Sequence, residues 1–370
     1  MIIKTVKLRN FRNYKYSEFE FYNGLNFITG NNAQGKTNLL ESLVYLSITR
    51  SHRILDDKKL IKDSEMFADI KCSFMDEDKM KDIETIIHPK GKTLMVHHQP
   101  VKKSSDFVGL LNVVLFSPDD LTIFSDAPKE RRKIINQEIS KISNKYLSAL
   151  SNFQNLLKER NLLLKQYSVN QILLDTLDEK ISEYELIIIQ HRKIFIDMID
   201  SYITDIYHKL SEDITDVHVK YKSCIENEIS YESILKAHKE NRQRDIENHV
   251  TSFGIHREDI LFELNGKPLI ECASQGQKRM TVLSFKISLL KYIQEETGKL
   301  PVLLLDDVLS ELDHQRQKKL IEMVGNEYQC IITSTDIPSF LRNKEMKIFQ
   351  IENGNLINTT GGKAWVKKKK

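Results

Sequence analysis

Gly30-Asn31-Asn32-Ala33-Gln34-Gly35-Lys36-Thr37 fills every fixed position of G-x-x-x-x-G-K-[ST], between an apolar run, Leu25 to Ile28, and a helix-like stretch, Leu39 to Leu46. A triphosphate-binding loop requires that order of strand, loop and helix. Glycines let backbone N–H groups turn toward phosphates, Lys36 supplies a cation for the β and γ phosphates, and the Thr37 hydroxyl suits Mg²⁺. Gly30 to Asn38 are therefore the candidate phosphate contacts. A Gly-Lys-Thr triplet alone is common in polar loops; the full spacing and flanks give it meaning. The second chemical element is Val302-Leu303-Leu304-Leu305-Asp306-Asp307, an aliphatic run that reads as a buried parallel strand ending in two carboxylates. Ligands of α/β sheets bind at such strand ends. An isolated Asp-Asp after a strand reads as a turn or helix cap. Beside the loop it reads as the other half of a nucleotide site, with Asp306 holding Mg²⁺ through water and Asp307 polarising the attacking water.

A third segment, Ser274-Gln275-Gly276-Gln277, opens the helical pattern Met280, Leu283, Ile287, Leu290. Ser274 serves equally as an N-cap or as part of an anion site at a helix N-terminus, and the residues leave both readings open. Ser-x-Gly-Gln shortly before an Asp-Asp strand resembles the signature of ABC-type ATPases. That resemblance implies that Ser274, Gly276 and Gln277 bind the γ-phosphate held by a second protomer, in a head-to-head dimer with two ATP molecules between the halves.

These segments need a scaffold, and the glycine distribution outlines it. All 13 glycines lie outside residues 110 to 253, and no proline occurs from Lys129 to Phe253. A stretch lacking both breakers and rich in Leu, Ile, Lys, Glu and Gln is expected to be mostly helical. Within it, Leu177, Ile181, Tyr184, Ile188, Phe195, Ile199, Tyr202, Ile206 and Leu210 keep helical spacing over one long element. Short β-like runs precede it (Ile2 to Leu8, Leu25 to Ile28, Phe67 to Phe74, Thr93 to His97, Val113 to Phe116), and two core strands follow it, Val302 to Leu305 and Gln329 to Thr333. The expected fold is an α/β ABC-type ATPase head in two parts, residues 1–127 and 245–370, split by a helical arm at 128–244.

Lys+Arg 55 against Asp+Glu 52 gives a net charge of +3, so any nucleic-acid surface must come from local clustering. Candidates are Lys102-Lys103, Lys129 with Arg131-Arg132-Lys133, Lys239 with Arg242 and Arg244, and Lys367 to Lys370. Each reads equally as a solvated face. The four cysteines show no metal-type pairing and read as buried small residues in a reducing compartment. With neither a signal peptide nor an apolar run of membrane length, a cytoplasmic protein without membrane partners is expected.

Lys36 and Ser274 stand 238 positions apart, far more than in transporter subunits, whose signature follows the loop closely. The Leu177 to Leu210 stripe spans only about 50 Å as a helix, too short for the arms of a chromosome-tethering protein. Both a transporter-coupling ATPase and a tethering protein are thereby disfavoured. The order of Leu8-Arg9-Asn10-Phe11-Arg12-Asn13-Tyr14, the phosphate loop, Leu39-Leu40-Glu41-Ser42, Ser51-His52-Arg53, Phe116-Ser117-Pro118-Asp119-Asp120-Leu121, Ser274 to Gln277 and Leu304 to Asp313 resembles the RecF family of bacterial recombination mediators across the whole chain. Departures fall at Asp126, Ile134, Asn136 and Gly254-Ile255-His256-Arg257, near the head–arm junction. The resemblance implies that Ser310 to Asp313 cross a dimer axis, that a hydroxyl of Thr333-Ser334-Thr335 senses the γ-phosphate, and that Arg12 and Asn13 meet adenine and ribose. It further implies a weak DNA-dependent ATPase that dimerises on ATP at single-strand/duplex DNA, working with RecR, RecO and RecA in recombinational repair and replication restart.

Overall fold

The computed structural model of the chain describes residues 1–225, 228–341 and 344–363, so the terminal cluster Lys367 to Lys370 lies outside the described residues. Two compact units emerge: Met1–Asp120, Lys209–Glu212 and Val282–Lys370 form one, Leu121–His208 and Asp213–Thr281 the other.

In the first unit the aliphatic runs become the buried centre of a mostly parallel sheet. Its order is Asn355–Lys363, Glu345–Glu352, Leu25–Thr29, Cys330–Ser334, Val302–Asp306, Val113–Phe116, with only Asn355–Lys363 antiparallel to its neighbour. Val302–Asp306 and Cys330–Ser334 are buried at every position, as expected of strands covered on both faces. Thr333 lies opposite Ile28 on one side and Asp306 on the other. Because Gly30 follows Ile28 by two residues, the register alone delivers the loop and the carboxylates to the same end of the parallel strands. A second, antiparallel sheet runs Tyr14–Glu20, Ile2–Phe11, Ala68–Asp76, Lys79–His88, Gly91–Val96, Gln99–Pro100. Its apolar face, including Val6, Leu8, Ile70 and Phe74, shares one core with Leu39, Leu40 and Leu43 of the helix Lys36–Ile48.

The second unit holds the helices Pro128–Ile142, Asn144–Leu163 and Tyr231–Asn248 and most of the 41-residue helix Gln171–Ser211. The stripe seen in the sequence falls on that long helix, with Ile181, Ile188, Phe195 and Ile199 fully buried. One segment departs from the helical expectation. Val217–Lys222 is a strand, paired antiparallel with Asp259–Leu264. Val217 and Val219 are buried while His218 and Lys220 alternate outward, a two-residue period that an absence of glycine and proline does not forbid. The residues from Asp213 to Thr281 cluster with these helices, whereas the sequence places the second part of the head at 245–370.

A buried ion network ties these helices together. The Arg160 side chain has no solvent exposure; its Nε donates to Asp178 Oδ1 at 2.7 Å, and its Nη1 to Asp245 Oδ2 at 2.7 Å and Thr251 Oγ1 at 2.9 Å. Removing the cation leaves two buried carboxylates undercompensated. Arg160→Met is therefore expected to cost about 3 kcal/mol, read as a lower urea midpoint at unchanged slope. A midpoint equal to wild type would refute the network's contribution.

The cysteines are free thiols among the described residues, but burial holds only for Cys72 and Cys330. Cys224 is half-buried, and Cys272 is exposed at the end of a one-turn helix, Leu269–Cys272, whose single buried side chain is Leu269.

Candidate functional site

The phosphate loop leaves its strand through Gly30, whose φ is +148°; a Cβ there would lie 2.4 Å from the Ile351 carbonyl oxygen. At Gly35, φ is +115°, and a Cβ would meet the Asn13 amide at 2.8 Å. Both positions need glycine for backbone conformation and for close approach. The loop is braced from outside: Gln34 O accepts from Asn13 Nδ2 and Gly354 N, each at 2.9 Å, and Tyr14 Oη donates to Gly35 O at 2.9 Å. Lys36 opens the following helix and turns its ammonium back across the loop, donating to Gly30 O at 2.5 Å and Asn31 O at 3.0 Å. Burial lowers its pKa, while the charges of Asp307 and Asp306 act in the opposite sense.

On the facing strand, Asp306 Oδ1 accepts from Thr37 Oγ1 at 3.0 Å and from Thr333 Oγ1 at 2.7 Å. Burial pushes the Asp306 carboxyl above its ordinary range; the Thr333 and Thr37 hydrogen bonds and the Arg53 charge oppose this without cancelling it. Thr333 Oγ1 also accepts from Asp307 N at 2.9 Å, fixing the residue after the strand. Asp307 has φ +53°, a left-handed conformation open to Asp and Asn but costly for most side chains.

A cleft of about 300 Å³ is lined by Asn32, Ala33, Gly35, Lys36, Thr37, Asn38, Arg53, Asp306, Asp307 and Thr333. The loop lysine, the helix-start threonine and both strand-end carboxylates therefore converge as their spacing suggests. Within the hydroxyl triplet Thr333 lines this cleft, whereas the Ser334 hydroxyl donates to Asp336 O. Arg53 also lines the cleft, although the sequence offers it only within the motif Ser51-His52-Arg53; no local periodicity marks which loop arginine reaches a cleft. Arg12 stands at φ +52°, with its Nε and Nη2 on the two Glu41 oxygens at 2.9 and 2.8 Å. Asn13 bridges Gln34 O and the Asn38 amide. Thr37 and Asp306 offer hard oxygen donors converging at hydrogen-bond distance, a donor set that suits Mg²⁺.

In the second unit, Ser274 precedes the helix Gln275–Thr297 in a reciprocal capping box. Its Oγ accepts from Gln277 N at 3.2 Å, and Gln277 Oε1 accepts from Ser274 N at 3.0 Å. Gln277 Nε2 also donates to Asp213 Oδ2 at 3.3 Å. Ser274 and Gln275 are exposed and Gly276 is half-buried, while the capping box takes up the N–H groups of Ser274 and Gln277.

Several basic candidates are occupied internally. Arg131 is bidentate to Asp259 at 2.7 and 2.8 Å, Arg132 donates to Glu258 O, and Arg242 Nη2 bridges Asp175 and Asp178 at 2.6 and 2.7 Å. Lys102, Lys103, Lys129, Lys133, Lys239 and Arg244 are exposed.

A family model described as the RecF/RecN/SMC N terminal domain matches residues 2–356. DNA replication and repair protein RecF of Listeria monocytogenes is 37% identical over 367 residues, covering 96% of this chain and 99% of the relative. The protein of the same description from Clostridium tetani is 40% identical over 372 residues, covering 96% and 100%. A solved structure of the recombination mediator protein RecF-ATP in the RecFOR pathway superposes with a TM-score of 0.88 at 32% identity, covering 97% of both chains. An SMC head bound to the C-winged helix domain of ScpA is alike in fold, with a TM-score of 0.55 at 18% identity. No helix among the described residues is long and apolar enough to cross a membrane.

Proposed function

The chain belongs to the RecF family of DNA replication and repair proteins, and from that membership we propose that it is an ATP-dependent DNA-binding protein of recombinational repair and replication restart. One observation carries the nucleotide half of this reading: Lys36, Thr37, Asp306, Asp307 and Thr333 line one cleft, with both threonine hydroxyls on one Asp306 oxygen. ATP is the nucleotide of choice because a relative of the same fold and 32% identity is described with it.

In this reading the loop N–H groups and Lys36 cradle the phosphates, and Thr37 and Asp306 would hold Mg²⁺, which would supply charge neutralisation to the triphosphate. Asp307 accepts a hydrogen bond from the attacking water as its oxygen bonds to the γ-phosphorus and the bond to the β–γ bridging oxygen breaks, giving ADP and phosphate. Arg12, keeping Glu41 as counter-ion, and Asn13 sit on the adenine and ribose side. The residues around 128–244 act as a short arm of the head. Turnover is weak and DNA-dependent, and the protein works in the cytoplasm.

ATP closes two copies head to head on single-strand/duplex DNA, with Ser274, Gly276 and Gln277 of each copy on the γ-phosphate held by the other. Capping by Ser274 is compatible with this role, since a helix N-terminus attracts anions. The closed dimer works with RecR and RecO in loading RecA at gaps. The solved relative is described as a recombination mediator in the RecFOR pathway, and that description supports the reading here.

Ser274→Arg tests the composite site. The variant should bind ATP as a monomer yet fail to dimerise on it, because a bulky cation takes the space meant for the partner's γ-phosphate. Mixed with Lys36→Ala, it can form a heterodimer with one intact composite site, and partial ATPase recovery is expected. Sedimentation with ATP reads closure directly; dimerisation of Ser274→Arg at the wild-type level would leave the serine as a cap alone.

A further inference from the structure

We propose that Glu41 is a positioning residue for the nucleotide site: its buried carboxylate sets Arg53 at the cleft while Arg12 neutralises it from behind. The inference rests on the ATP-site reading given above. Glu41 sits on the helix that Lys36 opens, beside the buried Leu39, Leu40 and Leu43, and its side chain has no solvent exposure. A carboxylate there carries a desolvation cost that an apolar side chain would avoid, and buried ion pairs are seldom net stabilisers. Its presence is better explained by what it holds in place.

Three side chains from two segments converge on it. Arg12 Nε and Nη2 bond the two oxygens at 2.9 and 2.8 Å, Ser51 Oγ donates to Oε1 at 2.5 Å, and Arg53 Nη1 lies 3.5 Å from Oε2. Arg12 thus takes the bidentate geometry, and Arg53 keeps a single longer contact. Burial pushes the Glu41 carboxyl up, but hydrogen bonds from Arg12 and Ser51, with the charges of Arg12 and Arg53, hold it below its usual range. The same carboxylate fixes the Arg53 backbone at one remove, because Ser51 Oγ accepts from Arg53 N at 3.0 Å and Ile54 N at 3.1 Å.

The head of Arg53 is steered, not sequestered. It donates to Asn38 Oδ1 at 3.1 Å, its side chain is 39% exposed, and it lines the cleft with Lys36 and Asp306. Asn38 in turn donates to Asn13 Oδ1, and Asn13 braces the loop at Gln34 O. Glu41 therefore reaches the cleft through Arg53, and a stapling role without that route makes a different prediction.

The two are separated by a double-mutant cycle on the full chain, using fluorescent ATP binding and steady-state turnover, with melting curves in parallel. Glu41→Gln should weaken ATP affinity about tenfold, and in an Arg53→Ala background about twofold at most. An equal factor in both backgrounds would mean a staple, and would overturn the proposal. So would wild-type affinity and turnover of Arg53→Ala. If Glu41→Gln does not fold, Ser51→Ala keeps the carboxylate and should cost about threefold, again only where Arg53 is present; additivity there also counts against it. Lys36→Ala judges the ATP site independently, so failure of this cycle alongside a Lys36-dependent ATP site falls on Glu41 alone.

Discussion

Lys36→Ala should lower ATP affinity by at least about a thousandfold, or ~4 kcal/mol. The ammonium is the cation that the loop itself supplies, poised on the Gly30 and Asn31 carbonyl oxygens at 2.5 and 3.0 Å. Exchanging those carbonyls for phosphate oxygens replaces dipole contacts with charge-assisted ones, so much of the interaction appears only with the triphosphate. Alanine deletes it and leaves the loop N–H groups to act alone. The fold should survive, because Asn13, Tyr14 and Gly354 still brace the loop when the two lysine contacts are lost. Equilibrium titration with labelled ATP decides the point, with a melting curve to confirm folding. Wild-type affinity would remove the phosphate-loop assignment.

Asp307→Asn should bind ATP and dimerise, yet hydrolyse about 10²- to 10³-fold more slowly, since the amide keeps the shape and loses the basic oxygen. The substitution is conformationally clean. Asp307 stands at φ +53°, where Asn is among the few residues at ease, so lost turnover cannot be blamed on backbone strain. Asp306→Asn should behave differently: its oxygen still accepts from Thr37 and Thr333, but the charge facing Mg²⁺ is gone, and more Mg²⁺ should be required for binding. Single-turnover hydrolysis against Mg²⁺ concentration distinguishes the two carboxylates. An Asp307→Asn protein turning over at the wild-type rate would move the water-activating role elsewhere.

Much of the site could be read locally. A loop motif is contiguous, a buried strand announces itself by an unbroken aliphatic run, and a breaker-free segment with helical spacing gives the long helix. Strands with weaker signals escaped, among them Val217–Lys222, where the alternation covers only six residues inside a segment free of glycine and proline. The exposed Cys272 escaped because burial depends on which side of a one-turn helix faces the core.

By itself, the sequence determined the phosphate loop, the paired carboxylates and the order of the family's motifs, because each is encoded in adjacent residues whose spacing matches strand or helix geometry. Only the tertiary structure decided which side chains meet across long separations. Thr333 meets Asp306 across a parallel register and Thr37 reaches it from the helix start, Arg53 enters the cleft, and Glu41 gathers Arg12, Ser51 and Arg53. Likewise it showed Arg131, Arg132 and Arg242 committed to internal partners, which no count of charges reveals. The reason is that periodicity reports which face of an element is apolar, whereas the partner of a buried charge is set by sheet order and chain return, and neither is written in neighbouring residues.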